Sequence, residues 1–184
     1  MERLLFIDTE TGGIIPERYS LFSIGLTVWE DFQIIDKKEI LIKEKTLRFN
    51  KKAMLINQID IEFHKSKALF PSDAFHELDE FLSKNFPPDH KITLVGHNIS
   101  FDVSFLKQFY LKNRISFHKR FSHRFIDTAS ILSYLYYAKI IPENISSSTK
   151  AFNYFDIIVE NRHTALGDAI ATSELFSKLI TLRF

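Results

Sequence analysis

Short apolar runs that stop abruptly at polar, glycine-containing turns do most to restrict how this chain can fold. Leu4-Leu-Phe-Ile7 runs into Asp8-Thr-Glu-Thr-Gly-Gly13, and Lys91-Ile-Thr-Leu-Val95 runs into Gly96-His-Asn98. Such runs fill buried strands, and glycine then lets the chain turn. Successive side chains on a strand alternate between faces, so Asp8 and Glu10 project from the same face of the first strand's end. After Gly96 a helical pattern begins near Ser100, with Phe101, Phe105, Leu106 and Phe109 on one side. Asp102 therefore falls in the first turn of a helix that starts at a strand's carboxyl end. A further stripe of Ala165, Leu166, Ala169, Ile170, Leu175, Phe176 and Leu179 follows His163. Asp168 interrupts it among the small residues Gly167, Ala169 and Ala171, which allow another element to approach closely.

The remaining pattern predicts one mixed α/β unit over residues 1–184, without internal repeats or a second domain. Residues 21–29 and 33–43 are rich in β-branched and aromatic types and read as a hairpin around Glu30-Asp31. Helices are expected at 51–57 and from Ser72, as N-cap, to about Lys84, with Pro87-Pro88 closing that region. A brief strand at 124–127 leads into a helix through 128–138. Residues 142–149 read as a loop before a helix at 150–155.

Two adjacent carboxylates in a partly buried place repel each other and lose hydration, so they require protons or cations. Oxygen-rich sites of this kind suit Mg²⁺ or Mn²⁺. Each segment alone also admits a structural reading. Asp8 and Glu10 can begin a solvated loop, Asp102 can complement a helix dipole, and His163 can cap a helix. His97 and Asn98 can satisfy backbone groups of their turn.

Taken together and in order, the segments Phe6-Ile-Asp-Thr-Glu-Thr-Gly-Gly13, Gly96-His-Asn-Ile-Ser-Phe-Asp102 and His163-Thr-Ala-Leu-Gly-Asp-Ala169 resemble the three motifs of the DnaQ-like, or DEDDh, 3′-5′ exonucleases. The resemblance implies a ribonuclease-H-like fold with a mixed central sheet flanked by helices. It implies that Asp8, Glu10, Asp102 and Asp168 hold two Mg²⁺ or Mn²⁺ ions and that His163 is the general base. It also implies a nucleic-acid substrate with a free 3′-end, expected to be single-stranded DNA and to yield nucleoside 5′-monophosphates. RNA trimming is the main alternative. A non-catalytic binding module or a polymerase-associated proofreading subunit is less favoured, because all five motif positions are intact and the chain ends soon after the third motif. By the same resemblance Thr9, Thr11 and Gly12 contact the terminal nucleotide, Ile14 packs on its base, and Asn57 and Asn98 are further candidate contacts. Two positions depart from the common pattern: Gly12 stands where a second threonine is usual, and Ser23 where an acid is frequent on the second strand.

Composition bounds these expectations. A chain of 184 residues has room for a substantial core in one domain. The absence of cysteine excludes disulfides and thiolate zinc sites. No apolar run is long enough for a membrane span and Asp8 breaks any signal-peptide core, so a cytoplasmic protein is expected. The formal net charge of +1 gives no global argument for nucleic acid. Between Asp102 and Asp127, however, Lys107, Lys112, Arg114, Lys119, Arg120 and Arg124 form a stretch without acids. It is expected either to guide a phosphate backbone or simply to make a solvated face.

Overall fold

The computed structural model of the protein describes residues 3–160 and 163–182. Five strands, β1 (Leu4–Thr11), β2 (Leu21–Glu30), β3 (Gln33–Leu41), β4 (Ile92–Gly96) and β5 (Phe121–Asp127), form one mixed sheet in the order β3-β2-β1-β4-β5. The first three strands make an antiparallel meander. β4 runs parallel to β1, and β5 parallel to β4. Helices α1 (Lys51–Asn57), α2 (Ile61–Lys67) and α3 (Pro71–Asn85) follow the meander, α4 (Ser100–Lys112) follows β4, and α5 (Thr128–Tyr137), α6 (Ser148–Tyr154) and α7 (Ala165–Thr181) follow β5.

Alternation along β1 divides the core. Leu5 and Ile7 join Leu26, Val28, Leu78 and Leu82 of α3, and Val103 and Leu106 of α4, in the main apolar cluster. Phe6 points the other way and meets Trp29, Val95 and Phe176 of α7. The Phe6 and Trp29 rings each lie edge-on to Phe176, at 5.5 and 5.6 Å between centroids, a geometry that adds about 0.5–1.5 kcal/mol per pair beyond area burial. Polar contacts fix the same face. The Thr27 and Ser173 hydroxyls lie 2.6 Å apart, and Trp29 Nε1 donates to Ser177 Oγ at 2.8 Å. The sheet is thus covered on both faces, which explains why β2 is buried along nearly its whole length.

Several boundaries differ from the sequence expectation. The hairpin turns at Asp31 and Phe32, which both have positive φ, the signature of a tight turn matched to strand twist. Helix α3 starts at Pro71 with Phe70 as its N-cap and no side-chain cap, so Ser72 lies inside the helix; Pro71 presets φ for the first helical position. Helix α2 carries only one buried residue, His64, and so shows no apolar stripe; its start is fixed by Asp60, whose carboxylate accepts from the N–H groups of Glu62 and Phe63. Ser147 caps α6, starting it ahead of the expected residue 150. Arg120 does not belong to a solvated basic face. It is 8% exposed, and its guanidinium donates to the carbonyl oxygens of Leu82, Phe86 and Pro87, closing the end of α3. None of the described helices is long and apolar enough to cross a membrane.

Candidate active site

The end of β1 carries two of the acids and α7 the third. Asp8 and Glu10 sit opposite Gly25 and Ser23 of β2, on the face covered by α7. Gly25 makes the approach of α7 possible, because a Cβ there would lie 2.1 Å from the carbonyl carbon and oxygen of Ala165. With no side chain in the way, the first turn of α7 rests on the sheet and Asp168 hangs over β1. Thr164 fixes the start of that helix by accepting from the Gly167 N–H at 3.1 Å. One carboxylate oxygen from each of Asp8, Glu10 and Asp168 lies within 4.8 Å of the others. Glu10 is buried and the other two half-buried. Three like charges at that spacing are unfavourable in a partly desolvated place unless a cation neutralises them, and hard oxygen donors fit a Mg²⁺ or Mn²⁺ class of ion.

Asp102 stands beside this trio rather than within it. It lies in the first turn of α4, is 4% exposed, and accepts from Thr9 Oγ1 at 2.7 Å. Thr9 and Glu10 are neighbours on β1, so the bond ties α4 to the strand that carries the trio. Burial pushes the Asp102 carboxyl up to about 7; the hydrogen bond from Thr9 opposes this, and the charge of Asp127 adds to it. Asp127 organises the turn that leads there. Its Oδ1 accepts from the Asn98 and Ala129 N–H groups and its Oδ2 from the Ser130 hydroxyl. His97 bridges Thr128 Oγ1 and the Ser146 carbonyl oxygen, so its ring ties the turn to the start of α5 and to the segment before α6 rather than satisfying the turn's own backbone. Asn98 has φ 58 and its side of the turn lines neither of the clefts described next.

Two clefts meet at Glu10 and Asn57. The first, of about 380 Å³, is walled by Glu10, Glu39, His64 and His163. His163 has φ 67, a left-handed conformation that sets the chain's entry into α7 and is uncommon outside glycine and asparagine. Glu39 pairs with Gly25 across β2 and β3, and its Oε1 accepts from the Leu166 N–H at 3.4 Å. Burial raises its carboxyl above the usual range against that hydrogen bond. An acid thus reaches the α7 end of the meander from β3, in a sequence that has Ser23 on β2. The second cleft, of about 420 Å³, is walled by Thr9, Thr11, Ile14, Ile56, Asn57 and Phe101 among others. Ile14 is 78% exposed there.

The expected substrate residues occupy this second cleft unevenly. The hydroxyl protons of Thr9 and Thr11 are already engaged, with Asp102 and with the Gly13 carbonyl oxygen at 2.8 Å. Asn57 donates Nδ2 to the Thr11 carbonyl oxygen at 2.9 Å and so pins α1 to β1. Gly12 lies outside the lining. A Cβ at that position would sit 2.2 Å from the Arg48 carbonyl oxygen, which explains why the usual threonine is missing. Gly25, Glu39 and the cleft role of Phe101 were not legible in the sequence. Phe101 fits a core stripe there, Glu39 lies in an alternating strand, and Gly25 shows its purpose only once α7 is placed.

The sequence pattern of the RNase_T exonuclease family matches residues 5–176. The chain is 30% identical over 109 residues to the 3′-5′ DNA exonuclease Cap18 of Escherichia coli, a match covering 59% of this chain and 57% of that protein. It is 26% identical over 186 residues to ribonuclease T of Baumannia cicadellinicola, covering 95% of this chain and 81% of the relative. Among solved structures, E. coli exonuclease I in complex with a dT13 oligonucleotide superposes with a TM-score of 0.80 at 17% identity, over 98% of this chain and 41% of that one. The ribonuclease-H-like exonuclease fold expected from the three motifs is therefore present, and the chain belongs to the DnaQ-like exonuclease family.

Proposed function

We propose that the protein, as a single exonuclease domain, hydrolyses phosphodiester bonds from free 3′-ends of single-stranded DNA and releases nucleoside 5′-monophosphates. The observation that carries this reading is the convergence of Asp8, Glu10 and Asp168 within 4.8 Å beside a cleft open to solvent. Asp8, Glu10 and Asp168 would hold one Mg²⁺ or Mn²⁺, and Asp8 and Asp102 would serve a second, Asp102 directly or through water. Such ions, when bound, would supply activation of water, neutralisation of the phosphate and stabilisation of the leaving 3′-oxygen. His163, which lines the cleft it shares with Glu10, takes the proton of the attacking water on a ring nitrogen. The terminal base lies between Ile14 and Phe101, and the α1 wall closes over its sugar. Because the 3′-oxygen leaves, the phosphate stays on the 5′ side of the released nucleotide.

RNA is the competing substrate. Ribonuclease T relatives support it, while Cap18 and the oligothymidylate-bound exonuclease I support DNA. Incubation of 5′-labelled single-stranded DNA, RNA, a 3′-phosphorylated oligonucleotide and a single-stranded circle with Mg²⁺ or Mn²⁺ decides between them. Degradation of free 3′-ends to 5′-monophosphates, with the circle intact, is expected. Asp8→Ala, Glu10→Ala and Asp168→Ala should each lower turnover at least about 10²-fold while remaining folded. A cut circle, a nucleoside 3′-monophosphate product or near-normal activity in any of the three variants would overturn the reading.

A further inference from the structure

The chain segment that brings Asn50 to the second cleft has another groove on its far side. This groove measures about 580 Å³ and is walled by Lys43, Lys45, Phe49, Lys65 and Phe70 among others. Phe49 and Phe70 leave 45% and 49% of their surface in solvent, apolar area that gains from being covered. Lys43 reaches over the Phe70 ring, with Nζ 5.4 Å from its centroid, and donates to the Lys65 carbonyl oxygen. Glu44, the acid on this lining, faces other partners: it accepts from Lys112 and Ser20 and lies 3.5 Å from Arg48. Lys65 also pairs at the rim with the exposed Glu62, an arrangement easily exchanged for another anion.

Lysines beside half-exposed rings fit a polyanion that carries flat faces. A single nucleic-acid strand has both, because phosphates pair with ammonium groups and bases stack on aromatic rings. An acidic polypeptide satisfies the lysines but leaves the rings unstacked. The groove and the cleft are lined by consecutive residues of one segment. Asn50 lines the nucleotide cleft and Phe49 the groove, and the Asn50 N–H donates to the Gly12 carbonyl oxygen in the turn after β1. A strand leaving the cleft over this segment meets the lysines next.

We infer that the groove between the 43–50 segment and the start of α3 is an accessory site for single-stranded nucleic acid, holding nucleotides 5′ of the one being removed. The inference rests on the exonuclease reading above. It implies that long substrates bind better than short ones through residues remote from the acids.

Lys45→Glu and Phe70→Ala test it, since both side chains are exposed and lie outside the nucleotide cleft. With oligothymidylate of about 20 nucleotides, each variant should raise KM about tenfold at unchanged kcat, the scale of one lost stacking or charge contact. With a trinucleotide, KM and kcat should match the unmodified protein. Lys45→Glu should also make binding of the long oligonucleotide less salt-dependent. An unchanged KM on the long substrate, or an equal loss on both lengths, overturns the groove. If the unmodified protein hydrolyses neither, the exonuclease reading fails instead, and anisotropy of the labelled 20-mer in chelator still decides the groove: about tenfold weaker binding by both variants supports it, and equal binding overturns it. Displacement of that probe by polyglutamate with no dependence on Phe70 would assign the groove to an acidic partner.

Discussion

Helix α7 meets the sheet through Ala165, Thr27 and Ser173, none more than 1% exposed, whereas α1 buries none of its seven residues. Both elements wall the same site. On the α7 side, backbone rests on backbone at Gly25, hydroxyls are paired, and aromatic rings interlock, so the positions of Asp168 and His163 follow from contacts that cannot be loosened separately. On the α1 side the wall is held by the Asn57 bond to Thr11 and by the Asn50 cap, which accepts from the Ala53 N–H at 2.9 Å. Leu55 and Ile56 remain 79% and 53% exposed. The charged centre, where small displacements cost most, is built into the core. The wall of the second cleft, which on the proposed reading meets the base, is left on a short helix with no buried residue.

The comparison breaks first at Gly25. Gly25→Val places branched carbons where the Ala165 carbonyl now lies, and α7 must shift to admit them. Overpacking of this kind costs about 1–3 kcal/mol of stability. A displacement near 1 Å of Asp168 and His163 should lower turnover about 10²-fold. Urea denaturation and single-turnover kinetics check both. A variant with full activity would show that the close approach of α7 is not what positions the acid.

A smaller and pH-dependent effect should appear at Asp102, in the first turn of α4. Its carboxyl holds a proton to about 7 in the folded chain, against a value of 3.8 for an unperturbed group. Folding therefore takes up a proton between these values. The stabilisation relative to the ionised state is fully present below about pH 4 and is lost as pH rises toward 7. Asp102→Asn keeps an oxygen to accept from Thr9 and removes the titration. In chelator, where no divalent ion compensates the charge, the variant should match the unmodified protein near pH 4 and be the more stable of the two near pH 8. Parallel stability curves across that range would show that burial does not hold this proton.

The rigid side was far more legible in the sequence than the yielding one. Apolar runs stopping at Asp8 and at Gly96 located β1, β4 and the acids, because a buried strand must be apolar and a carboxylate is not. The stripe from Ala165 to Leu179 located α7 for the same reason. Helix α2 escaped notice because seven residues with only His64 buried leave no periodicity to read. Arg120 read as part of a basic face, since composition does not reveal that three carbonyl oxygens at the end of α3 surround it. Glu39 and Gly25 acquired meaning only through strand register: β2–β3 pairs them with each other and β1–β2 places Gly25 beside Asp8. Cross-strand neighbours of this kind have no fixed separation in sequence.

The smallest effect is expected on the α1 wall. Ile56 lines the second cleft, where the proposed reading places the nucleotide, and has more than half its surface in solvent, so Ile56→Ser removes little buried area. Stability should stay within about 0.5 kcal/mol of the unmodified protein, as for other surface substitutions. The cleft loses apolar contact with the bound nucleotide, worth about 1 kcal/mol if half the side chain is covered on binding. KM should then rise about fivefold with kcat unchanged, because the contact serves ground state and transition state alike. Thermal melting and steady-state kinetics on a short oligonucleotide measure the two quantities independently. A fall in kcat, or destabilisation beyond about 1 kcal/mol, would mean that α1 is coupled to the acids as tightly as α7, and the contrast between the two walls would collapse.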